Sequence, residues 1–277
     1  MTEHPPVNAL SAQNIFNVSC KSYVVTGAAS GLGAAMAEVL TSNGAHVLLL
    51  DRDATALKGI HDRLQALGGH VKSQPVDVTD AENLKKHVAD FVSQRHGLDG
   101  LFANAGISGG PGFGTQSGVL TGCIEAQSPD TWESVFRINL HGVVNALQSA
   151  VTVMKQQKHG SLVLTASIAG VKAEPFVSYA YSTVKSAVIQ LMRQAAIELA
   201  PHGIRVNAIA PGFIETNIAG GRLHDPATAL SLSKRVPLGR LGQPTELHGL
   251  TLLLASDASS YITGTLIPVD GGVLALS

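Results

Sequence analysis

The chain has 277 residues, a formal net charge of −1, 45% hydrophobic and 14% charged residues. That length fits one large domain or two small ones with ample apolar material for a core. No Lys/Arg-rich block supplies the positive face that a nucleic-acid backbone requires, so nucleic acid is excluded as an expected partner. Two cysteines, Cys20 and Cys123, are too few and too far apart for a disulfide framework or a metal knuckle. The opening stretch Met1 to Asn17 does not read as a signal peptide. The longest apolar runs, Val47 to Leu50 and Leu250 to Ala255, fall well short of the roughly 18 residues of a membrane span. A cytoplasmic protein without a membrane partner is expected.

From about Lys21 short β-branched or Leu-rich runs alternate with amphipathic stretches, the signature of βαβ units and a parallel sheet. The expected fold is α/β: one Rossmann-type doubly wound domain over residues 21–277, with an N-terminal arm over 1–20. Strands are expected at Ser22 to Thr26, Ala45 to Leu50, His70 to Val76, Gly100 to Ala103, Ser161 to Thr165, Arg205 to Ala210 and Thr265 to Val269. Helices are expected at Gly31 to Ser42, Ala54 to Ala66, Ala81 to Gln94, Pro129 to Gln157, Ser178 to Ala200 and Thr245 to Ala255. Seven strands fit one continuous sheet with helices on both faces.

Two stretches break the pattern. Ile107 to Ser128 holds six glycines and shows neither a helical nor a strand period. It reads as a loop, either a wall of the substrate site or a surface insertion. Gly212 to Pro226, after the sixth strand, reads as a mobile lid.

Thr26-Gly27-Ala28-Ala29-Ser30-Gly31-Leu32-Gly33 leads from the first strand straight into a helix. Glycines there let the backbone approach a pyrophosphate, which sits at the partial positive charge of the helix N-terminus. Asp51, ending the second strand, is placed to accept hydrogen bonds from adenosine ribose hydroxyls and to repel a 2′-phosphate. It reads equally as a helix cap or a solvated strand end. NAD(H) is therefore favoured over NADP(H), with Arg52 next door as the residue to pair with a phosphate. Asp77-Val78 is placed to bracket the adenine, and Asn104-Ala105-Gly106 to put small residues under the cofactor; each also reads as a turn.

Tyr181 and Lys185 lie four apart on an expected helix and project from one face. An adjacent ammonium favours the ionised form of a phenol whose ordinary pKa is about 10. Tyr179 lacks such a partner, because its i+4 neighbour is Thr183. Eleven histidines show no H-E-x-x-H or comparable spacing, so no metal is expected.

With these motifs in order, the chain from about Lys21 to Gly272 resembles the short-chain dehydrogenase/reductase family. Thr26 to Gly33 is similar to the family's cofactor loop, Asn104-Ala105-Gly106 to its central motif, and Tyr181 with Lys185 to its active-site pair. Ser167 matches its catalytic serine and Asn139 the asparagine that completes the tetrad. Pro211-Gly212, with Ile214 and Thr216, resembles the segment that holds the nicotinamide carboxamide. The resemblance implies that Tyr181 is the general acid/base, that Ser167 holds the substrate oxygen, and that Lys185 binds ribose hydroxyls and lowers the Tyr181 pKa. Asn139 would support a water that links Lys185 to solvent. It also implies a homo-oligomer, a tetramer or dimer.

The expected activity is hydride transfer between NAD(H) and a secondary alcohol or ketone. Apolar candidates Ile168, Phe176, Phe213, Ile218 and Leu223, beside Ser167 and Tyr181, point to a hydrophobic or ring-bearing substrate; each reads equally as packing. The rivals are an NADPH-dependent 3-ketoacyl-carrier-protein reductase and a non-catalytic dinucleotide sensor or scaffold. Asp51 and the absence of a basic residue in Ala28-Ala29-Ser30 stand against the first, and the tetrad against the second.

Overall fold

The computed structural model describes residues 10–218, 221, 223 and 225–276. Strands β1 (Ser22–Thr26), β2 (His46–Asp51), β3 (His70–Pro75), β4 (Gly100–Ala103), β5 (Gly160–Thr165), β6 (Ile204–Pro211) and β7 (Leu266–Val269) form one sheet, in the order β3-β2-β1-β4-β5-β6-β7. Every pairing is parallel. The helices are α1 (Ala12–Ile15), α2 (Gly31–Ser42), α3 (Ala54–Ala66), α4 (Ala81–Arg95), α5 (Gly118–Thr121), α6 (Pro129–Phe136), α7 (Gly142–Gln157), α8 (Tyr179–Leu199), α9 (Pro226–Ser233) and α10 (His248–Ala255). Among the described residues no helix is long and apolar enough to cross a membrane.

The central strands are apolar throughout because both faces are covered. Side chains alternate across the pleat, so Val24, Leu48, Leu50, Leu101 and Leu162 point to one side. There they meet Leu84, Val88 and Phe91 of α4, Ala146 and Met154 of α7, and Val188 and Met192 of α8. Tyr23, Val25, Val47, Leu49, Phe102 and Val163 point to the other side, against Met36 and Leu40 of α2, Leu57 and Leu64 of α3, and Leu254 of α10. Asp53 and Asp80 cap α3 and α4 through side-chain acceptance from backbone N–H groups, and Ser178 does the same for α8.

Three expectations change. The helix expected over Pro129 to Gln157 is interrupted by a π-helical turn, Arg137–His141, between α6 and α7. The stretch Ile107 to Ser128 is not a featureless loop. It contains α5 and a 3₁₀ turn, Ile124–Ala126, and Pro111 bridges antiparallel to Val177. All of its glycines but Gly110 follow from close approach: a Cβ on Gly112 would lie 2.3 Å from the Pro175 carbonyl oxygen. The lid boundary also shifts. Ile214 is buried and bridges to Gly242, while Pro226 opens α9, which was not expected. Within that segment Ala219, Gly220, Arg222 and His224 lie outside the described residues.

Candidate active site

Strand order reverses direction between β1 and β4, and a crevice opens at the carboxyl ends of these strands, where a doubly wound sheet holds its ligand. Asn104 fixes this edge. Its Nδ2 donates to the carbonyls of Thr26 (3.2 Å) and Gly27 (3.3 Å), and its Oδ1 accepts from Thr165 Oγ1 (3.1 Å). One side chain thus ties β1, β4 and β5 together. Replacing Asn104 by Ala should lower the free energy of unfolding by about 1–3 kcal/mol, because the orphaned groups are poorly hydrated; urea denaturation checks this, and an unchanged midpoint would contradict it.

The crevice continues into a cavity of about 950 Å³. At one end lie Gly27, Ser30, Gly31, Leu32, Asp51, Arg52, Asp77, Val78, Asn104, Ala105 and Gly106. Gly33 sits behind this wall, not on it. A Cβ there would lie 2.1 Å from the Gly27 carbonyl oxygen, so its role is to seat α2 against the turn. Gly27 and Gly31 both have positive φ, +67° and +53°. The Ser30 side chain makes no capping hydrogen bond to the start of α2, and the helix N-terminus opens onto the cavity. This cradle fits the diphosphate of a dinucleotide.

Asp51 holds the turn as well as facing the cavity. Its Oδ2 accepts from Ala29 N (3.0 Å) and its Oδ1 from Asp53 N (3.0 Å). Asp77 accepts from the backbone of Thr79 (2.8 Å), which pulls its carboxyl below the ordinary range, aided by Arg52 and Arg137. The Val78 carbonyl accepts from Asn145 Nδ2 (2.9 Å) of α7.

At the other end the cavity is lined by Ser167, Ile168, Tyr181, Lys185, Pro211, Gly212, Phe213, Ile214 and Thr216. Lys185 is buried and donates to the Thr165 carbonyl (2.7 Å); among the described residues no carboxylate pairs with it. Burial pulls its ammonium down to about 8. Its Nζ lies 5.6 Å from the centroid of the Tyr181 ring. Burial raises the Tyr181 hydroxyl above the usual phenol value, against a smaller lowering by the Ser167 side chain. Ser167 Oγ accepts from Ala169 N (3.2 Å).

Asn139 does not line the cavity. It is fully buried in the π-helical turn, where Oδ1 accepts from Ile107 N and Nδ2 donates to Ile107 O, both at 2.8 Å. It acts on the site through the backbone that follows Asn104-Ala105-Gly106. Tyr179, as expected of a residue without a cationic partner, turns elsewhere and packs on Phe113 with centroids 5.8 Å apart.

Phe176, Ile218 and Leu223 line the same cavity, as do Ser108, Gly110 and Thr115 to Ser117 of the glycine-rich stretch. Ser178 Oγ donates to the Ser108 carbonyl (2.9 Å), which ties that stretch to the start of α8. Several lining residues had no signal in the sequence. Thr165 is an ordinary strand residue until its carbonyl meets Lys185. Asp225, Thr228, Ser231 and Leu232 belong to the unexpected α9 segment. Glu174 pairs with Arg235, 61 residues away.

The pattern described as Enoyl-(Acyl carrier protein) reductase matches residues 27–274. The chain belongs to the short-chain dehydrogenase/reductase family and is an oxidoreductase of that type, whose cofactor is NAD(P). It is 37% identical over 254 residues to the 3-oxoacyl-[acyl-carrier-protein] reductase of Thermotoga maritima, covering 92% of this chain and 98% of that one. It is 35% identical over 269 residues to the cyclohexanol dehydrogenase of a Rhodococcus species, covering 91% and 96%. Among solved structures, a gluconate 5-dehydrogenase from Burkholderia cenocepacia in complex with NADP and tartrate superposes with a TM-score of 0.86 at 29% identity, covering 96% of this chain and 99% of that one.

Proposed function

We propose that the protein transfers a hydride between NAD(H) and a secondary alcohol or ketone with a hydrophobic or ring-bearing frame. The observation that carries this reading is the placement of Tyr181, Ser167 and an ion-pair-free Lys185 at one end of the cavity, with Asp51 and the glycine turn at the other. A nicotinamide held at this site would supply the hydride acceptor in oxidation and the donor in reduction. The chain supplies everything else.

The Tyr181 oxygen takes the carbinol proton in oxidation and returns it to the carbonyl oxygen in reduction. Ser167 donates a hydrogen bond to the same substrate oxygen. The Lys185 ammonium, unspent on any carboxylate, stabilises the tyrosinate and is free to hold ribose hydroxyls. Asn139 is a positioning residue: it locks Ile107, and with it the strand end beneath the cofactor. Ile168, Phe176, Phe213, Ile218 and Leu223 give the substrate an apolar envelope that excludes water. Gly27, Ser30, Gly31 and Leu32 would hold the diphosphate, Asp77 and Val78 would flank the adenine, and Pro211, Gly212, Ile214 and Thr216 would hold the carboxamide. The likeness to a cyclohexanol dehydrogenase agrees with a ring-bearing alcohol. We further propose that the long helices α6–α7 and α8 mediate a homo-oligomer.

The position of Asp51, rather than kinship, carries the preference for NAD, since the similar gluconate 5-dehydrogenase holds NADP. A carboxylate at the end of β2 binds ribose hydroxyls and repels a 2′-phosphate. The wild-type protein should bind NADH more tightly than NADPH, and Asp51→Ala should reduce that ratio by about ten- to hundredfold, the scale of a charge-assisted hydrogen bond. Fluorescence titration of both cofactors reads it. Preference for NADPH in the wild type would transfer the role to Arg52 and favour the ketoacyl reductase.

A further inference from the structure

Between Ser167 and Tyr181 the chain passes through Lys172-Ala173-Glu174-Pro175-Phe176-Val177 along the cavity wall. Glu174 is a carboxylate on this wall, with its side chain 1% exposed. Its Oε1 accepts from Arg235 Nη1 at 2.9 Å. Its Oε2 is buried and, among the described residues, has no hydrogen-bond partner.

A carboxylate facing a guanidinium usually takes both oxygens into a fork-shaped pair. Here the guanidinium is held in another orientation. It lies over the Phe176 ring, 4.5 Å from the centroid, and 5.8 Å from that of Phe213. The stack fixes Arg235 so that it serves one oxygen of Glu174 and leaves the second unserved. A buried charged acceptor without a donor is costly, and native structures keep such groups for a reason. Both rings of the stack, Phe176 and Phe213, line the cavity that contains Ser167 and Tyr181, and so does Glu174 itself.

We propose that Glu174 is a specificity-determining residue whose Oε2 accepts a hydrogen bond from a second hydroxyl of the substrate. The enzyme then takes a diol or a hydroxy-ketone in preference to the parent alcohol or ketone. The inference rests on the alcohol dehydrogenase reading above and narrows it: an apolar frame with one additional neutral donor.

The donor is neutral rather than cationic, because the Arg235 guanidinium already balances the Glu174 charge and would repel an ammonium in a desolvated site. An anionic substrate is disfavoured by the same wall. Asp225 also lines the cavity, with its carboxylate held by the N–H and hydroxyl of Thr228 (2.8 and 2.7 Å). A hydroxyl satisfies Oε2 without adding charge. A site built to hydrogen-bond a substrate hydroxyl discriminates strongly against the analogue that lacks it, because the buried acceptor is then left unpaired.

The test uses matched pairs: cyclohexanol against its 1,2-, 1,3- and 1,4-diols, and 2-butanol against 2,3-butanediol. For at least one diol, kcat/KM in the wild type should exceed that of its parent by about ten- to hundredfold, and Glu174→Gln should bring the ratio close to unity. Arg235→Lys keeps a cation opposite Oε1 and should retain the preference. The wild-type ratio needs no variant, so poor folding of a mutant leaves the test intact. The same ligands are titrated onto the NADH-loaded protein to read binding without turnover. No oxidation of any alcohol, with diols still binding more tightly than their parents, would refute the dehydrogenase reading and uphold the subsite. Absence of a diol preference in both turnover and binding, or equal loss for diol and parent in Glu174→Gln, would overturn the subsite itself.

Discussion

Tyr181→Phe is expected to lower kcat by about 10²–10⁴-fold in both directions, the scale of a positioned general acid/base. NADH affinity should change little. The substitution removes one oxygen and keeps the ring, whose face toward Lys185 stays filled. Without that oxygen neither Ser167 nor Lys185, its neighbours among the described residues at this end of the cavity, takes over the proton transfer. Ser167 accepts from Ala169 N and its hydroxyl is a poor base. Lys185 donates to the Thr165 carbonyl and lies beside the ring. Because burial raises the Tyr181 hydroxyl, alcohol oxidation by the wild type should accelerate with rising pH as tyrosinate forms, and ketone reduction should slow. Steady-state kinetics in both directions across pH, with NADH fluorescence titration, check this. A Phe variant with kcat within tenfold of the wild type would remove Tyr181 from the chemistry.

Lys185→Met is expected to separate stability from activity. The folded lysine sits at about 8 against 10.5 for the free side chain. Between those values the unfolded chain binds more protons than the folded one, so wild-type stability rises with pH across this window. Below pH 8 the burial penalty is complete and amounts to about 3 kcal/mol. Methionine fills the space without that penalty, while the Thr165 carbonyl loses its donor, an offset of about 1 kcal/mol. The cofactor-free variant should therefore unfold at a higher urea concentration than the wild type at pH 7, and the advantage should vanish near pH 10.5. Turnover should fall by about 10²-fold or more, since tyrosinate loses its neighbouring cation. A variant less stable than the wild type at pH 7 would mean that the ammonium is solvated in the folded protein and carries no such burial penalty.

The sheet was legible because its strands are buried on both faces and therefore read as short apolar runs. β1 and β4 fall on their expected residues; β3, β5 and β7 shift by one residue at one end, and β2 and β6 by one residue at both. Helices α2 and α3 also start and stop as read, α3 with Asp53 as its cap. What the sequence did not reveal lies where local pattern and tertiary contact diverge. The π-helical turn has the same apolar spacing as the helix around it, and only the Asn139 hydrogen bonds to Ile107 mark it. The glycines between Ile107 and Ser128 suggested looseness, whereas Gly112 and Gly114 answer to backbone packed against Pro175 and Val177, and Gly118 and Gly122 to the approach of Gly112. Helix α9 opens on Pro226, a residue that reads as a breaker until Asp225 is seen to cap it. In the candidate site, the residues near motifs were found, while Glu174 with Arg235 was not, because nothing local links positions so far apart.

The π-helical turn has a further meaning for the long rod formed by α6 and α7. At 3.6 residues per turn, one residue corresponds to about 100° of rotation. A π turn accommodates one residue more than an α turn, so the two halves of the rod are out of phase by roughly that angle. Trp132 and Phe136 thereby pack toward the start of α8, while Ala146, Ala150 and Met154 face the sheet. Deleting a single residue between Arg137 and His141 would heal the rod into a regular helix and improve its internal hydrogen bonding. It would also swing one half away from its partner surface. The irregular turn works as a phase shifter, letting one continuous helix pack on the sheet with one half and brace the start of α8 with the other.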